Sequence, residues 1–230
     1  MKPETLVSPL IVVDWGTTNF RAYLVERRAD GHGVCRDRVA TPEGLLNIQS
    51  DYPSVLKQNI SHWLEPSHQT PILLSGMVGS PSGWIEVPHV HCPVNIQTLA
   101  QNARQISNFN NGNTWIIPGL SGLGISGYFD VMRGEEVQYF GAKKIIKAQN
   151  LGTPEVVCFP GTHNKWINTA INMESTLDQF STSMTGEVFH LLASHSILSN
   201  SIAKQAPWQE RAFLKGLDNS ASNGGIMHQL

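Results

Sequence analysis

Leu10-Ile11-Val12-Val13 is a short apolar run rich in β-branched residues, and it ends abruptly on Asp14-Trp15-Gly16-Thr17-Thr18-Asn19. From Phe20 to Glu26 an alternating pattern resumes, with Arg21, Tyr23 and Val25 on one face and Phe20, Ala22 and Leu24 on the other. Strand, small polar turn and strand together predict a β-hairpin, because period-two alternation is the signature of a half-buried strand. The pattern of a buried strand running into a Gly- and Ser/Thr-containing turn recurs at Pro71 to Ser80, Thr114 to Leu120 and Glu155 to His163. Helical spacing separates these runs over Tyr52 to Leu64, ended by Pro66, and over Ile96 to Ile106 and Arg133 to Ala148. A last helix is expected around Gly186 to Leu198, and Val34 to Thr41 reads as a further strand. Strands alternating with helices predict a mixed α/β fold, in which ligands collect at the carboxyl ends of the strands.

Composition narrows the function classes. Sixteen Lys plus Arg stand against eighteen Asp plus Glu, so the formal charge of −2 and the lack of a basic block argue against nucleic acid as a partner. No apolar run approaches the ~18–20 residues of a membrane helix, and Met1 to Pro9 lacks the layout of a signal peptide. Three cysteines without a CxxC pair argue against a disulfide framework or a structural zinc site. A cytoplasmic protein is the expectation, with a homodimer left open.

The turn after the first strand has the chemistry of a phosphate site. Gly16 lets a ligand approach the backbone, and Thr17, Thr18 and Asn19 add short donors beside exposed N–H groups. Asp14, at the strand end, is placed to hold a hydrated Mg²⁺. The same residues are also ordinary turn formers. Pro160-Gly161-Thr162-His163-Asn164-Lys165 is a second such turn, where Gly161 and Thr162 would cradle another phosphate and Lys165 would supply a point charge. Asp130-Val131-Met132-Arg133-Gly134-Glu135-Glu136 supplies acidic chemistry: Asp130 and Glu135 are both candidates for a general base. The plainer reading has Asp130 capping the helix, with Glu135 and Glu136 beside its positive end. Arg133 suits either a substrate carboxylate or a structural pair with Glu136 or Glu187. Thr185-Gly186-Glu187 opens a helix and either offers N–H groups to an anion or simply caps it. His89, His91 and Cys92 have a tempting spacing, but no fourth ligand stands near them in the sequence to support a metal site.

Taken together these segments resemble one family. Asp14 to Arg21 looks like the first phosphate motif of the actin-like superfamily, and the whole set is similar to the 2-dehydro-3-deoxygalactonokinases. The segments in question are Asp14 to Arg21, Ser75-Gly76-Met77-Val78-Gly79-Ser80 with Gly83-Trp84, Trp115 to Leu120, Val131 to Glu136, Pro160 to Trp166 and Thr185 to Glu187. The resemblance implies an actin-like (ribonuclease H-like) two-lobe fold. Residues 1–150 would form a first lobe with the phosphate motif and sugar-acid pocket, and 151–230 a partial second lobe with the second phosphate motif. It also implies ATP and Mg²⁺ as donor and metal, and phosphorylation of the terminal C6 hydroxyl of 2-dehydro-3-deoxy-galactonate. Asp130, the first choice for the base, is suggested by the superfamily's use of an aspartate after a first-lobe strand. Ser75, Gly76, Met77, Ser80 and Trp84 would shape the sugar-acid pocket, joined by Arg133, Glu135, Thr185 and Glu187. Two departures stand out. The family's chains continue past Leu230, so this chain is expected to be C-terminally incomplete, and His89 follows Pro88 where the family usually has tyrosine. The rival expectations are a non-catalytic actin-like sugar-acid or nucleotide-binding protein and a hydrolase of phosphoanhydrides.

Overall fold

The computed structural model of the chain describes residues 7–28, 33–64, 70–152, 154–169, 176–202 and 207–220. β1 (Val7–Trp15), β2 (Phe20–Arg27) and β3 (Gly33–Thr41) form an antiparallel meander. Helix α1 (Tyr52–Ile60) follows, capped by the Asp51 carboxylate, which accepts from the Ser54 N–H at 3.0 Å. β4 (Ile72–Gly76) then pairs with β1 in parallel. Beyond a short β5 (Val90–His91) and α2 (Ile96–Gln101), β6 (Arg104–Gln105) and β7 (Thr114–Ile116) complete the sheet. Its order is β3-β2-β1-β4-β7-β6, six strands among the described residues. Burial explains why β1 is central. Ile11, Val13 and Trp15 are wholly buried with Phe20, Leu56, Ile60, Ile72, Leu74 and Ile116, one apolar layer shared by sheet and α1.

β8 (Leu120–Leu123) and β9 (Phe129–Met132) make a hairpin that joins β5 in a separate small sheet. Helix α3 (Glu135–Ala148) leads to a third sheet of β10 (Val156–Phe159), β11 (Asn164–Asn168) and β12 (Gln179–Ser183), all antiparallel. A second core of Leu120, Met132, Tyr139, Ile167, Leu177 and Phe180 ties these pieces together. α4 (Thr185–His195) and α5 (Glu210–Ser220) follow. Two compact units result, one running to Gly186 and the other from Glu187 onward. In the second unit Trp208 packs on Phe213 at 5.0 Å between ring centroids.

This is the mixed α/β architecture expected, but several elements differ in extent. The helix expected over Ile96 to Ile106 stops at Gln101, because Arg104 and Gln105 are captured as an edge strand by Ile116 and Trp115. The helix expected from Arg133 starts at Glu135, since Gly134 takes a φ of 115° that no helical residue adopts. α1 ends at Ile60 and passes into a tight turn over Ser61–Trp63, and Pro66, expected to end it, lies outside the described residues. The polar stretch before α4 contains β12, which pairs with β11. Among the described residues no helix is long and apolar enough to cross a membrane.

Candidate active site

Two turns far apart in sequence face one cavity. Gly16, Thr17, Thr18 and Asn19 line it from the β1–β2 turn, and Gly161, Thr162 and Lys165 from the β10–β11 turn, around a volume of about 630 Å³. A cavity of that size suits a small-molecule ligand.

The first turn is tied down from behind. The Gly16 N–H donates to the Asn19 carbonyl at 2.9 Å. The Gly16, Thr17 and Thr18 carbonyls accept from the N–H groups of Leu45, Leu46 and Gly44 at 3.0, 3.0 and 3.3 Å. With those carbonyls engaged, the N–H groups and hydroxyls are what the turn offers to a ligand, a donor set suited to an anion. Asp14 lies beside them at the end of β1, opposite Ser75 on β4 and Arg21 on β2. Burial pushes its carboxyl up, while the Arg21 guanidinium, 3.3 Å away, pulls it down.

The second turn is held by a side chain, with the Gly161 N–H donating to Asn164 Oδ1 at 2.9 Å. Lys165 projects from β11, nearly buried, and its Nζ donates to the Val131 carbonyl at 2.7 Å and Thr182 Oγ1 at 2.6 Å. Burial lowers its pKa, and the carboxylates of Glu135, Asp130 and Glu136 oppose that shift.

Of the two candidate bases, the structure brings Glu135 to the cavity. Its Oε2 is buried without a hydrogen-bond partner among the described residues, and desolvation pushes its pKa up despite the nearby Lys165. Asp130 is not among the lining residues. Both its oxygens are taken by Thr182, Oδ2 by the N–H at 2.6 Å and Oδ1 by the hydroxyl at 2.7 Å. Nor does Asp130 cap α3: it sits within β9, and Gly134 precedes the helix. Glu136 is fully buried, both oxygens accepting from the Gly134 N–H at 2.8 Å, and its pKa is pushed up to about 8 chiefly by desolvation.

Gly76, Met77, Ser80 and Arg133 also line the cavity. Ser75 and Trp84 do not. The Ser75 hydroxyl is spent on the Val13 carbonyl at 3.1 Å, and Trp84 stacks on Tyr52 and meets Phe109 edge-on within the core. Thr185 faces Ser183, with 3.0 Å between their hydroxyl oxygens, and is likewise not a lining residue. Gly186 lies against the second turn, where a Cβ would stand 2.2 Å from the Gly161 carbonyl oxygen. Glu187 belongs to the second unit. Among the lining residues outside the sequence-based site and its motif segments, two carry polar side chains, His89 and Gln138. Gln138 was legible, standing one helical turn beyond Glu135 on α3. His89 carried no such signal, because Arg133, the residue it meets, is 44 positions away. His91 approaches Ser121 Oγ at 3.4 Å.

Comparison with known proteins adds to this geometry. A family profile described as 2-keto-3-deoxy-galactonokinase matches residues 14–230. The chain is 32% identical over 221 residues to the 2-dehydro-3-deoxygalactonokinase of Escherichia coli (strain K12), spanning 96% of this chain and 68% of that protein. It is 35% identical over 194 residues to a Rhizobium meliloti (strain 1021) protein provisionally given the same name, spanning 84% of this chain and 58% of that one. A crystal structure of a Sinorhizobium meliloti protein, also provisionally named so, superposes with a TM-score of 0.76 at 31% identity, covering 93% of this chain and 66% of the other.

Proposed function

The chain belongs to the 2-keto-3-deoxy-galactonokinase family, and on that premise we propose that it transfers the γ-phosphoryl group of ATP to the terminal C6 hydroxyl of 2-dehydro-3-deoxy-galactonate, in cytoplasmic galactonate catabolism. The observation that carries this reading is the convergence of the Thr17 and Thr162 turns and of Glu135 on one cavity. In this reading residues 1–150 form the first lobe and 151–230 belong to the second. The β10–β12 sheet lies wholly beyond that boundary, while the core that packs on it also draws on Leu120, Met132 and Tyr139 before it.

Phosphoryl transfer needs positioning and charge neutralisation more than covalent chemistry from the protein. The polyphosphate would rest on the N–H groups of Thr17, Thr18 and Asn19 and of Thr162, with Lys165 as a fixed positive charge. The donor set fits Mg²⁺, because Asp14 offers one half-buried carboxylate beside the phosphate turn, and this ion binds through few carboxylates, phosphates and waters. When bound, it would neutralise charge on the phosphates. Glu135 would accept the proton of the attacking hydroxyl: it lines the cavity, its Oε2 has no hydrogen-bond partner among the described residues, and its raised pKa brings it nearer the working range of a base. Arg133 would pair with the substrate carboxylate, and Gly76, Met77 and Ser80 would shape the sugar-acid side.

The test is a coupled ADP-release assay with 2-dehydro-3-deoxy-galactonate and, in parallel, its gluconate-derived epimer. We expect release that depends on the galactonate-derived acid, and a kcat lower by roughly 10²–10⁴ in Glu135→Gln with ATP binding retained. A protein that binds ATP but releases no ADP with either acid overturns the proposal.

A further inference from the structure

Arg133 has the Glu136 and Glu86 carboxylates acting on it from beyond salt-bridge distance. Its Nη2 donates to the Val87 carbonyl at 2.8 Å, but its Nη1 is buried with no hydrogen-bond partner, and no carboxylate lies within salt-bridge distance of it, among the described residues. Glu136 on α3 is fully buried with both oxygens on the Gly134 N–H. The Nη1 donor is shut away from solvent, with Gly79 so near that a Cβ there would stand 3.0 Å from Nη1, so what Arg133 offers an anion in the cavity is its charge.

The second group on this edge is His89. Its Nε2 lies 3.3 Å from Arg133 Nη2. A guanidinium can only donate, so Nε2 is the acceptor and the proton of the neutral ring resides on Nδ1. Burial and the Arg133 charge both lower the His89 pKa, which keeps that tautomer neutral near pH 7. The ring is seated by the backbone. At Gly119 a Cβ would stand 2.7 Å from His89 Cδ2 and 2.5 Å from the Met132 carbonyl oxygen, so only glycine leaves room for the imidazole. Both His89 and Arg133 line the cavity.

We propose that His89 is a substrate-recognition residue that, with Arg133, forms a charged, hydrogen-bonding edge receiving the carboxylate end of the sugar acid. The assignment rests on the proposed kinase function and deepens it. Arg133 supplies the charge, while His89 supplies Nδ1–H and, through Nε2, holds the guanidinium plane in register with Val87. A carboxylate accepts a charge-assisted hydrogen bond beside that guanidinium, and a neutral sugar gains far less.

Steady-state kinetics on the full chain test this with His89→Phe, which keeps the ring and removes both hydrogen bonds, and His89→Gln, which restores an acceptor and a donor. In His89→Phe the KM for 2-dehydro-3-deoxy-galactonate should rise about ten- to a hundredfold, the worth of a charge-assisted hydrogen bond, and His89→Gln should recover most of it. The KM for ATP and kcat should hold within about twofold in both variants. With the carboxamide analogue of the sugar acid, wild type and His89→Phe should behave alike. An unchanged sugar-acid KM in His89→Phe, an equal loss on the carboxamide, or a loss on the ATP side overturns the assignment while wild-type turnover leaves the kinase reading standing. A wild-type protein that releases no ADP with the sugar acid removes both.

Discussion

The two phosphate-type turns are built by different means. The turn after β1 sits at the centre of the six-stranded sheet, behind wholly buried Ile11, Val13 and Trp15, and a neighbouring segment ties its carbonyls by three backbone hydrogen bonds. The turn after β10 ends an edge strand whose residues are exposed or half-buried, and is held by the Asn164 side chain and by the close approach of Gly186. The first is pre-organised by the core, so its shape is inseparable from the stability of the fold. The second depends on a few local contacts, so it can be loosened while the core stands. Lys165 joins the two regimes, since its ammonium is anchored to β9 through the Val131 carbonyl and to β12 through Thr182, which Asp130 holds in turn.

That contrast can be broken in several ways. The largest effect should come from Lys165→Met, which removes the fixed charge beside the second turn: kcat/KM for ATP should fall by about 10²–10³ in steady-state assays. A fall no larger than that of an exposed lysine would mean the charge does not act on the phosphates. Next come two glycines that each admit no Cβ. Gly44→Ala would place a Cβ 2.2 Å from the Thr18 carbonyl carbon, and Gly186→Ala 2.2 Å from the Gly161 carbonyl oxygen. Gly44→Ala should cost about 1–3 kcal/mol of stability together with ATP affinity, as overpacked backbone does. Gly186→Ala should raise the ATP dissociation constant with a smaller shift in the urea midpoint. Equal midpoint shifts in the pair would erase the distinction drawn between the turns.

Glu136 sharpens the comparison from the side of α3, where it fixes the Gly134 turn beside the cavity. Its pKa rises to about 8 on folding from an ordinary value of 4.5, so the folded state binds more protons than the unfolded one between those limits. This contribution favours folding fully below the unfolded value and is lost progressively as pH rises to about 8. Denaturation midpoints measured across that window should therefore decline with pH in the wild type, with a flatter profile in Glu136→Gln. The same slope in both proteins would place the linkage elsewhere. The smallest effect belongs to Asn164→Ala, which frees the Gly161 N–H: ATP affinity should weaken by about the worth of one hydrogen bond, ~1 kcal/mol, by calorimetric titration. No change would show that Gly186 alone shapes the second turn.

Some of this architecture is local and was written plainly in the chain. β-Branched runs with period-two neighbours specify β1, β2, β4 and β7, and Gly and Thr at the ends of β1 and β10 specify the two turns. Both features depend on backbone propensity and burial over a few residues, and a sequence displays these directly. Short strands such as β6 and β12 were not legible, because they exist only through pairing with β7 and β11. The choice between Asp130 and Glu135 was equally out of reach. Five residues apart, they carry the same chemistry, and what separates them is that Thr182, 52 positions on, occupies one while nothing among the described residues meets Glu135 Oε2. Local sequence determined which segments become strands and turns and which residue types stand there. Only the tertiary structure decided which charged groups are neutralised by distant partners and which are left facing the cavity, because that depends on contacts between residues the chain order keeps apart.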